Sequence, residues 1–190
     1  MAGIQQSLLL IIQTVLGLYA VAVILRVMMR AIHADFYQPI VQGVSKITDW
    51  PANKLKKFIP DFKNIELAGV VLLLAVLLVK AFLVSFVQGF FPNIIGVLIW
   101  VIGSAIHLSL QTLFYLVIIR ALLSWLPAFQ VASLQPLLMQ LTEPVMAPAR
   151  KYIPLVGGFD LSPIAVLVVI QVLMFIVANP IMNMGLRIAV

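Results

Sequence analysis

The 190-residue chain has no cysteine and only two histidines, His33 and His107. Disulfides, thiol catalysis and cysteine-ligated metals are excluded, and two histidines are too few for a histidine cluster. Charge is scarce too. Charged residues make up 9% of the sequence and hydrophobic residues 64%, with 6 acids against 12 bases. A soluble domain carries roughly 25% charged and 45–50% apolar residues. The mean hydropathy of +1.18 leaves too little polar surface to face water. A soluble globular domain and a disordered tail are both excluded. There is no glycine-rich nucleotide loop, no metal-ligand spacing and no nucleophile beside a base. The expectation is a non-enzymatic integral membrane protein with no cofactor and no metal.

What the chain has in abundance is long apolar runs. The first charge is Arg26, and the first span covers about residues 4–29. It is too long for the apolar region of a signal peptide and has no basic segment before it. A second span covers 67–88, interrupted only by Lys80, and Gly89-Phe90-Phe91-Pro92-Asn93 follows as a tight turn. The third covers about 94–125. The fourth covers about 162–185 and starts at Ser162-Pro163, read as an N-cap followed by proline at the first helical position. Asn179-Pro180 is expected to kink or end it. Each run is long enough to cross a hydrocarbon core about 30 Å thick. The fold class expected is an all-α membrane protein with four transmembrane helices.

The net charge of +6 is laid out with a bias. Ten of the twelve basic residues fall in the two long loops or in the ends of spans one and three that lead into them. The N-terminus and the 89–93 turn have none. The positive-inside rule places both long loops in the cytoplasm and both termini outside. Positive charge here suits anionic phospholipids, and no nucleic acid partner is expected.

Shifting the sequence by 94 residues reveals an internal repeat. Val23-Ile24-Leu25-Arg26 meets Val117-Ile118-Ile119-Arg120, Thr48 meets Thr142, and Asp49 meets Glu143. Lys56-Lys57-Phe58-Ile59-Pro60 meets Arg150-Lys151-Tyr152-Ile153-Pro154 with no gap. Apolar runs match by chance; charges and prolines rarely do so in one register. The repeats are 1–93 and 94–190. Each holds two spans, so both enter the membrane in the same orientation, as parallel repeats. The loops are expected to hold short amphipathic interfacial helices: 39–47 followed by 50–58 in the first, 134–141 followed by 144–152 in the second. Pro60 and Pro154 should stop them.

Several residues have two readings. Arg26 and Arg120 are either paired anchors for phosphate or a partner, or helix-end cations that set topology and snorkel to headgroups. Lys56, Lys57, Arg150 and Lys151 either bind anionic lipid specifically or form a generic basic face. Lys80 and His107 are ionisable groups inside spans, which by default is a functional signal. The plainer reading bonds His107 to Ser104 or a backbone carbonyl. Every acid lies in a loop, so a carboxylate-lined cation path has no obvious material. Asp160 is read as a cap for span four or as a partner of Arg120 or Arg150. Gly157 and Gly158 supply backbone conformations closed to other residues.

The motif order in the second half resembles the YggT (YlmG) family of bacterial and plastid membrane proteins. The matching strings are Arg120-Ala121-Leu122-Leu123-Ser124-Trp125, Thr142-Glu143-Pro144, Pro148 to Pro154, and Gly157-Gly158-Phe159-Asp160-Leu161-Ser162-Pro163. Two tandem copies resemble its long proteobacterial form. The first copy departs from the pattern, with Lys63-Asn64-Ile65-Glu66 in place of Gly-Gly-Phe-Asp. The resemblance implies a bacterial inner-membrane protein that supports osmotic-stress tolerance and potassium homeostasis, as a small transport component or a modulator. The alternative it implies is a scaffold or assembly factor for membrane complexes or cell division, with membrane-protein partners or self-association.

Overall fold

The computed structural model describes residues 2–35, 37–62, 65–125, 134–153 and 160–189. Among these residues seven α-helices follow in order: α1 (Ala2–Ala31), α2 (Pro39–Lys56), α3 (Leu67–Gln88), α4 (Ile94–Trp125), α5 (Leu134–Tyr152), α6 (Ser162–Leu173) and α7 (Asn179–Ala189). A five-residue π-helical turn, Met174–Ala178, joins α6 to α7. Among the described residues four stretches are long and apolar enough to cross a membrane: Gly3–Ala31, Leu67–Gln88, Ile94–Ser124 and Ser162–Ala189.

The two halves are built alike. α1 packs on α3 with α2 against both, and α4 packs on α6 with α5 against both. Their cores use residues 94 positions apart. Val23, Ala52, Leu72 and Val76 are buried in the first half; Val117, Met146, Val166 and Ile170 are buried in the second. A third cluster ties the halves together at the loop-helix end, with Met29, Val41, Leu137 and Leu141 buried and Leu116 against them.

Two helices end the same way on different residues. Gly89 adopts φ +79°, and the N–H groups of Gly89 and Phe90 bond to the carbonyls of Phe86 and Ser85. His33 does this work at the end of α1 with φ +53°, where His33 and Ala34 N–H bond to Arg30 and Met29 carbonyls. This left-handed cap satisfies carbonyls that a helix end leaves open.

Two expectations are corrected. Each loop holds one continuous helix, not two short ones, although Pro51 lies inside α2 and Pro144 and Pro148 inside α5. Buried residues flank Pro51 and Pro144, Thr48 and Ala52 in one helix, Thr142 and Met146 in the other. Packing on both sides of the lost hydrogen bond holds the axis through it. Asn179-Pro180 does not end the fourth span either. Proline cannot donate to a carbonyl one turn back, and the chain widens just before it, with Asn179 N–H reaching Met174 O five residues earlier. The helix then runs on to Ala189.

α7 lies backbone to backbone on α4. A Cβ at Gly185 would fall 2.3 Å from the Trp100 nitrogen, one at Gly96 2.2 Å from the Ala189 nitrogen, and one at Gly103 2.6 Å from the Met182 nitrogen. The far end is pinned by Asn93 N–H to Ala189 O at 3.0 Å.

Candidate functional site

The conserved geometry of the two halves is an arginine clamp at the base of each loop helix. Arg26 sits five residues before the end of α1 and is 2% exposed. Its Nε and Nη2 donate to Glu66 Oε2 and Oε1 at 2.7 and 3.0 Å. Its Nη1 donates to Thr48 Oγ1 at 3.1 Å and to Asp49 Oδ1. Thr48 in turn donates to the Val44 carbonyl at 2.7 Å. Lys56 completes the set, with Nζ 3.3 Å from Glu66 Oε1 and 3.0 Å from Asp61 Oδ2.

Arg120 repeats the arrangement in the second half. Its Nη1 donates to Thr142 Oγ1 at 2.6 Å and Met139 O at 3.3 Å, and its Nη2 to Glu143 Oε2 at 2.9 Å. Arg150 reaches Glu143 Oε1 at 3.3 Å and Asp160 Oδ2 at 3.0 Å. Position for position, Arg26, Thr48, Asp49, Lys56 and Glu66 correspond to Arg120, Thr142, Glu143, Arg150 and Asp160 at a constant offset of 94.

At the position of Glu66 and Asp160 the two clamps differ by one methylene. Glu66 is long enough to grip Arg26 with both oxygens. Its approach is set locally: Phe62 and Ile65 exchange backbone hydrogen bonds at 3.2 and 3.0 Å, which delivers Glu66 to the head of α3. Asp160 is shorter and accepts the Ser162 N–H at 2.9 Å, capping α6. It reaches Arg150 but not Arg120. Arg26 therefore has two carboxylates and Arg120 has one. Burial alone would raise the Glu66 carboxyl, but hydrogen bonds from Arg26 and Lys56 outweigh it and hold the group below the usual carboxylate range. Asp160 is held below its ordinary value in the same way, with burial opposed by hydrogen bonds from Ser162 and Arg150.

Arg26 and Arg120 do not extend to headgroups in this geometry, being 2% and 8% exposed. Desolvated guanidinium groups need fixed partners, and both turn inward onto carboxylates and threonines. Lys56 and Arg150 are part-exposed members of the same networks. Lys57 and Lys151 point outward, and Lys54 lies 3.8 Å over the Trp50 ring. Ser162 takes the first helical position and not the cap, Pro163 is buried beside it, Leu161 stands at the cap, and Asp160 just before it accepts the Ser162 N–H. α2 stops at Lys56, ahead of the exposed Pro60. Pro154, Gly157 and Gly158 lie outside the described residues. Thr48, Asp49, Glu66, Thr142 and Glu143 had no place among the sequence-stated candidates. Their signal was the 94-residue register itself, which pairs them position by position.

A small cleft flanks each arginine at matching positions. In the first half it measures about 60 Å³ and is lined by Arg26, Met29, Arg30, Val41 and Ser45. In the second it measures about 80 Å³ and is lined by Arg120, Leu123, Ser124, Gln135, Met139 and Arg150. The second is richer in hydrogen-bond donors.

Lys80 and His107 do not form a pair. Lys80 lines a separate cavity together with Gln13, and His107 is not among its walls. By the repeat register Gln13 corresponds to His107, and Lys80 to Met174. The bond expected from His107 to Ser104 is absent: His107 Nδ1 and Ser104 Oγ are both buried and without partners among the described residues. No group of three metal-ligating side chains occurs among the described residues.

Comparison with known proteins follows the same division. The family model described as CCB3/YggT matches residues 5–87 and again 99–181, two matches displaced by the repeat length. The chain is 35% identical to a Vibrio alginolyticus protein encoded in a proC 3' region, over 91% of this chain and 94% of the relative. It is 33% identical to an uncharacterised Pseudomonas aeruginosa protein, over 94% and 92% of the two chains. It is 29% identical to the uncharacterised Escherichia coli protein YggT, over 94% and 93%. No solved structure matches.

Proposed function

Because the chain belongs to the CCB3/YggT family, we propose that it is a non-enzymatic platform of the bacterial inner membrane that recruits and modulates membrane-protein partners. On this reading its contribution to osmotic-stress tolerance and potassium homeostasis is that of a modulator and not of a conduit. The observation that carries it is the pair of arginine clamps. Each fixes an amphipathic loop helix to its own transmembrane helix through a buried cation. The product is two rigid basic helices held on one side of the bundle, with Lys46, Lys54, Lys57 and Lys151 facing outward.

The placement of the acids argues for a modulator over a conduit. Five of the six carboxylates are in ion pairs of the two clamps, and Asp35 accepts the Tyr37 N–H. None lies within a span, so cations crossing the bundle would meet no carboxylate. The outward lysines favour anionic phospholipid, at about 1 kcal/mol for each basic group near a charged leaflet. Ser124, Gln135 and Arg150 beside Arg120 suit a lipid phosphate. Facing the cytoplasm, the two helices would present one basic surface to headgroups and to partner loops.

The test uses cells lacking the protein, challenged with high osmolarity and assayed for potassium retention. Wild-type chain should restore both, and the variant with Lys46, Lys54, Lys57 and Lys151 changed to glutamine should not, while losing partners co-purified in mild detergent. Full restoration by the glutamine variant would overturn the platform reading. Potassium flux in liposomes containing this chain alone would replace it with a transport function.

A further inference from the structure

Among the described residues, a cavity of about 230 Å³ lies between α1, α3, α4 and the end of α7, apart from the clamps. Its polar wall is Lys80, Gln13, Ser85 and Gln88; its apolar wall includes Trp100 and Leu186. On α3 the residues 80, 81, 84, 85 and 88 form one helical stripe, so the cavity runs from the Gln88 end of the helix down to Lys80. Eight residues at 1.5 Å each make that depth about 12 Å. The ammonium lies against α1 beside Gly17, where an added Cβ would sit 3.8 Å from Nζ.

Lys80 has no hydrogen bond or ion pair among the described residues, and no carboxylate lines the cavity. Its neighbours Gln13, Ser85 and Gln88 all carry N–H or O–H donors. A cation among donors is a setting for an anion, and the apolar remainder of the wall is a setting for a hydrocarbon. The second half has no equivalent, because Met174 stands at the position of Lys80.

We propose that this cavity binds one small carboxylate-bearing amphiphile per chain, with Lys80 as counter-ion to the carboxylate and Trp100 and Leu186 against its alkyl portion. The carboxylate accepts from the ammonium at the Lys80 end, and Gln13, Ser85 and Gln88 supply the rest of the polar wall. The volume lies just below the range of about 300–1,000 Å³ usual for drug-sized ligands, which selects a medium-length chain. Both protonation and covalent structure of the ligand are unchanged on binding.

Trp100 is a built-in reporter. In full-length protein carrying Trp50→Phe and Trp125→Phe, purified in a non-ionic detergent, Trp100 fluorescence is titrated with octanoate, octanol and acetate. Octanoate should shift the emission and saturate at one per chain. Octanol of the same length and acetate lacking the chain should each need at least tenfold more. Lys80→Met should abolish the preference for octanoate over octanol, and Lys80→Arg should retain it. Monodispersity and thermal unfolding of Lys80→Met against the parent show that the fold is intact. Equal responses to octanoate and octanol, or an unchanged preference in folded Lys80→Met, would overturn the counter-ion role. Acetate saturating the response at octanoate concentrations would overturn the amphiphile.

Discussion

Arg26 and Glu66 lie forty residues apart and meet through two parallel hydrogen bonds of 2.7 and 3.0 Å, with both side chains withdrawn from solvent. The equivalent pair in the second half, Arg120 and Asp160, does not meet. The duplication has therefore kept the charges but redistributed the contacts. In the first half Asp49 and Glu66 both reach the buried arginine and Lys56 shares Glu66; in the second only Glu143 reaches it, and Asp160 pairs with the half-exposed Arg150.

That difference predicts unequal mutants. Removing one partner of a buried ion pair costs about 3–5 kcal/mol, because the other charge stays buried and unpaired. Glu66→Gln should fall in this range. Asp160, the equivalent of Glu66, and its partner Arg150 are both part-exposed, and Asp160→Asn, which keeps an acceptor for the Ser162 N–H, should cost about 1 kcal/mol or less, as exposed pairs do. Thermal unfolding of the two variants in one detergent measures the contrast. Equal losses would mean that the clamps are energetically equivalent despite their geometry.

Acid should remove the stability that the first clamp contributes. The Glu66 carboxyl is depressed in the folded state. A depressed carboxyl binds fewer protons folded than unfolded, so stability rises with pH through its range. The contribution is fully present above the unfolded glutamate value of about 4.3. It is lost as pH falls through the lower folded value. Unfolding midpoints should be flat from pH 8 to 5 and decline below that. The decline should be shallower in Glu66→Gln, and an identical pH profile would remove Glu66 from the account.

Much of this was legible in the sequence, for identifiable reasons. Spans are read from continuous hydrophobicity, which depends only on composition and length, and the 94-residue register is visible wherever charges and prolines recur. The same register pairs Glu66 with Asp160 and Asp49 with Glu143. Their role stayed hidden because a residue's position in a loop does not say whether it faces water or folds back on a helix end. Arg26 looked like a snorkelling cation for the same reason. The continuation of the fourth helix past Pro180 was hidden in another way: a π-helical turn removes the steric conflict that makes proline a breaker.

The α4–α7 seam should be intolerant of side chains. Gly103→Val and Gly185→Val would each drive atoms into backbone closer than 3 Å, with no flexible neighbour to yield. Small residues allow this kind of approach between membrane helices. Each substitution should cost roughly 1–3 kcal/mol by overpacking, with the variants still inserted. Gly43→Val has open space around it and is the control. Protease resistance of α7 in detergent should fall in the first two and hold in the third. Loss in all three would point to glycine content and not to the seam.

The absence of cysteine makes the orientation directly measurable. A single introduced cysteine reports one site against a blank background, without the removal of native thiols. Lys54 on α2 and Phe91 in the turn after α3 are both exposed, and they lie at opposite ends of the bundle. Ten of the twelve basic residues lie on the Lys54 side, and the positive-inside rule puts that side in the cytoplasm. Phe91→Cys should react with a membrane-impermeant maleimide in cells whose outer membrane alone is permeabilised. Lys54→Cys should react only after the inner membrane is opened. Because each repeat carries two spans, a cysteine at Pro148 in the second loop helix should behave like the one at Lys54. Labelling of the Lys54 and Pro148 sites from outside would invert the orientation. It would also move the basic platform away from any cytoplasmic partner. Opposite behaviour of those two sites would overturn the parallel arrangement of the repeats.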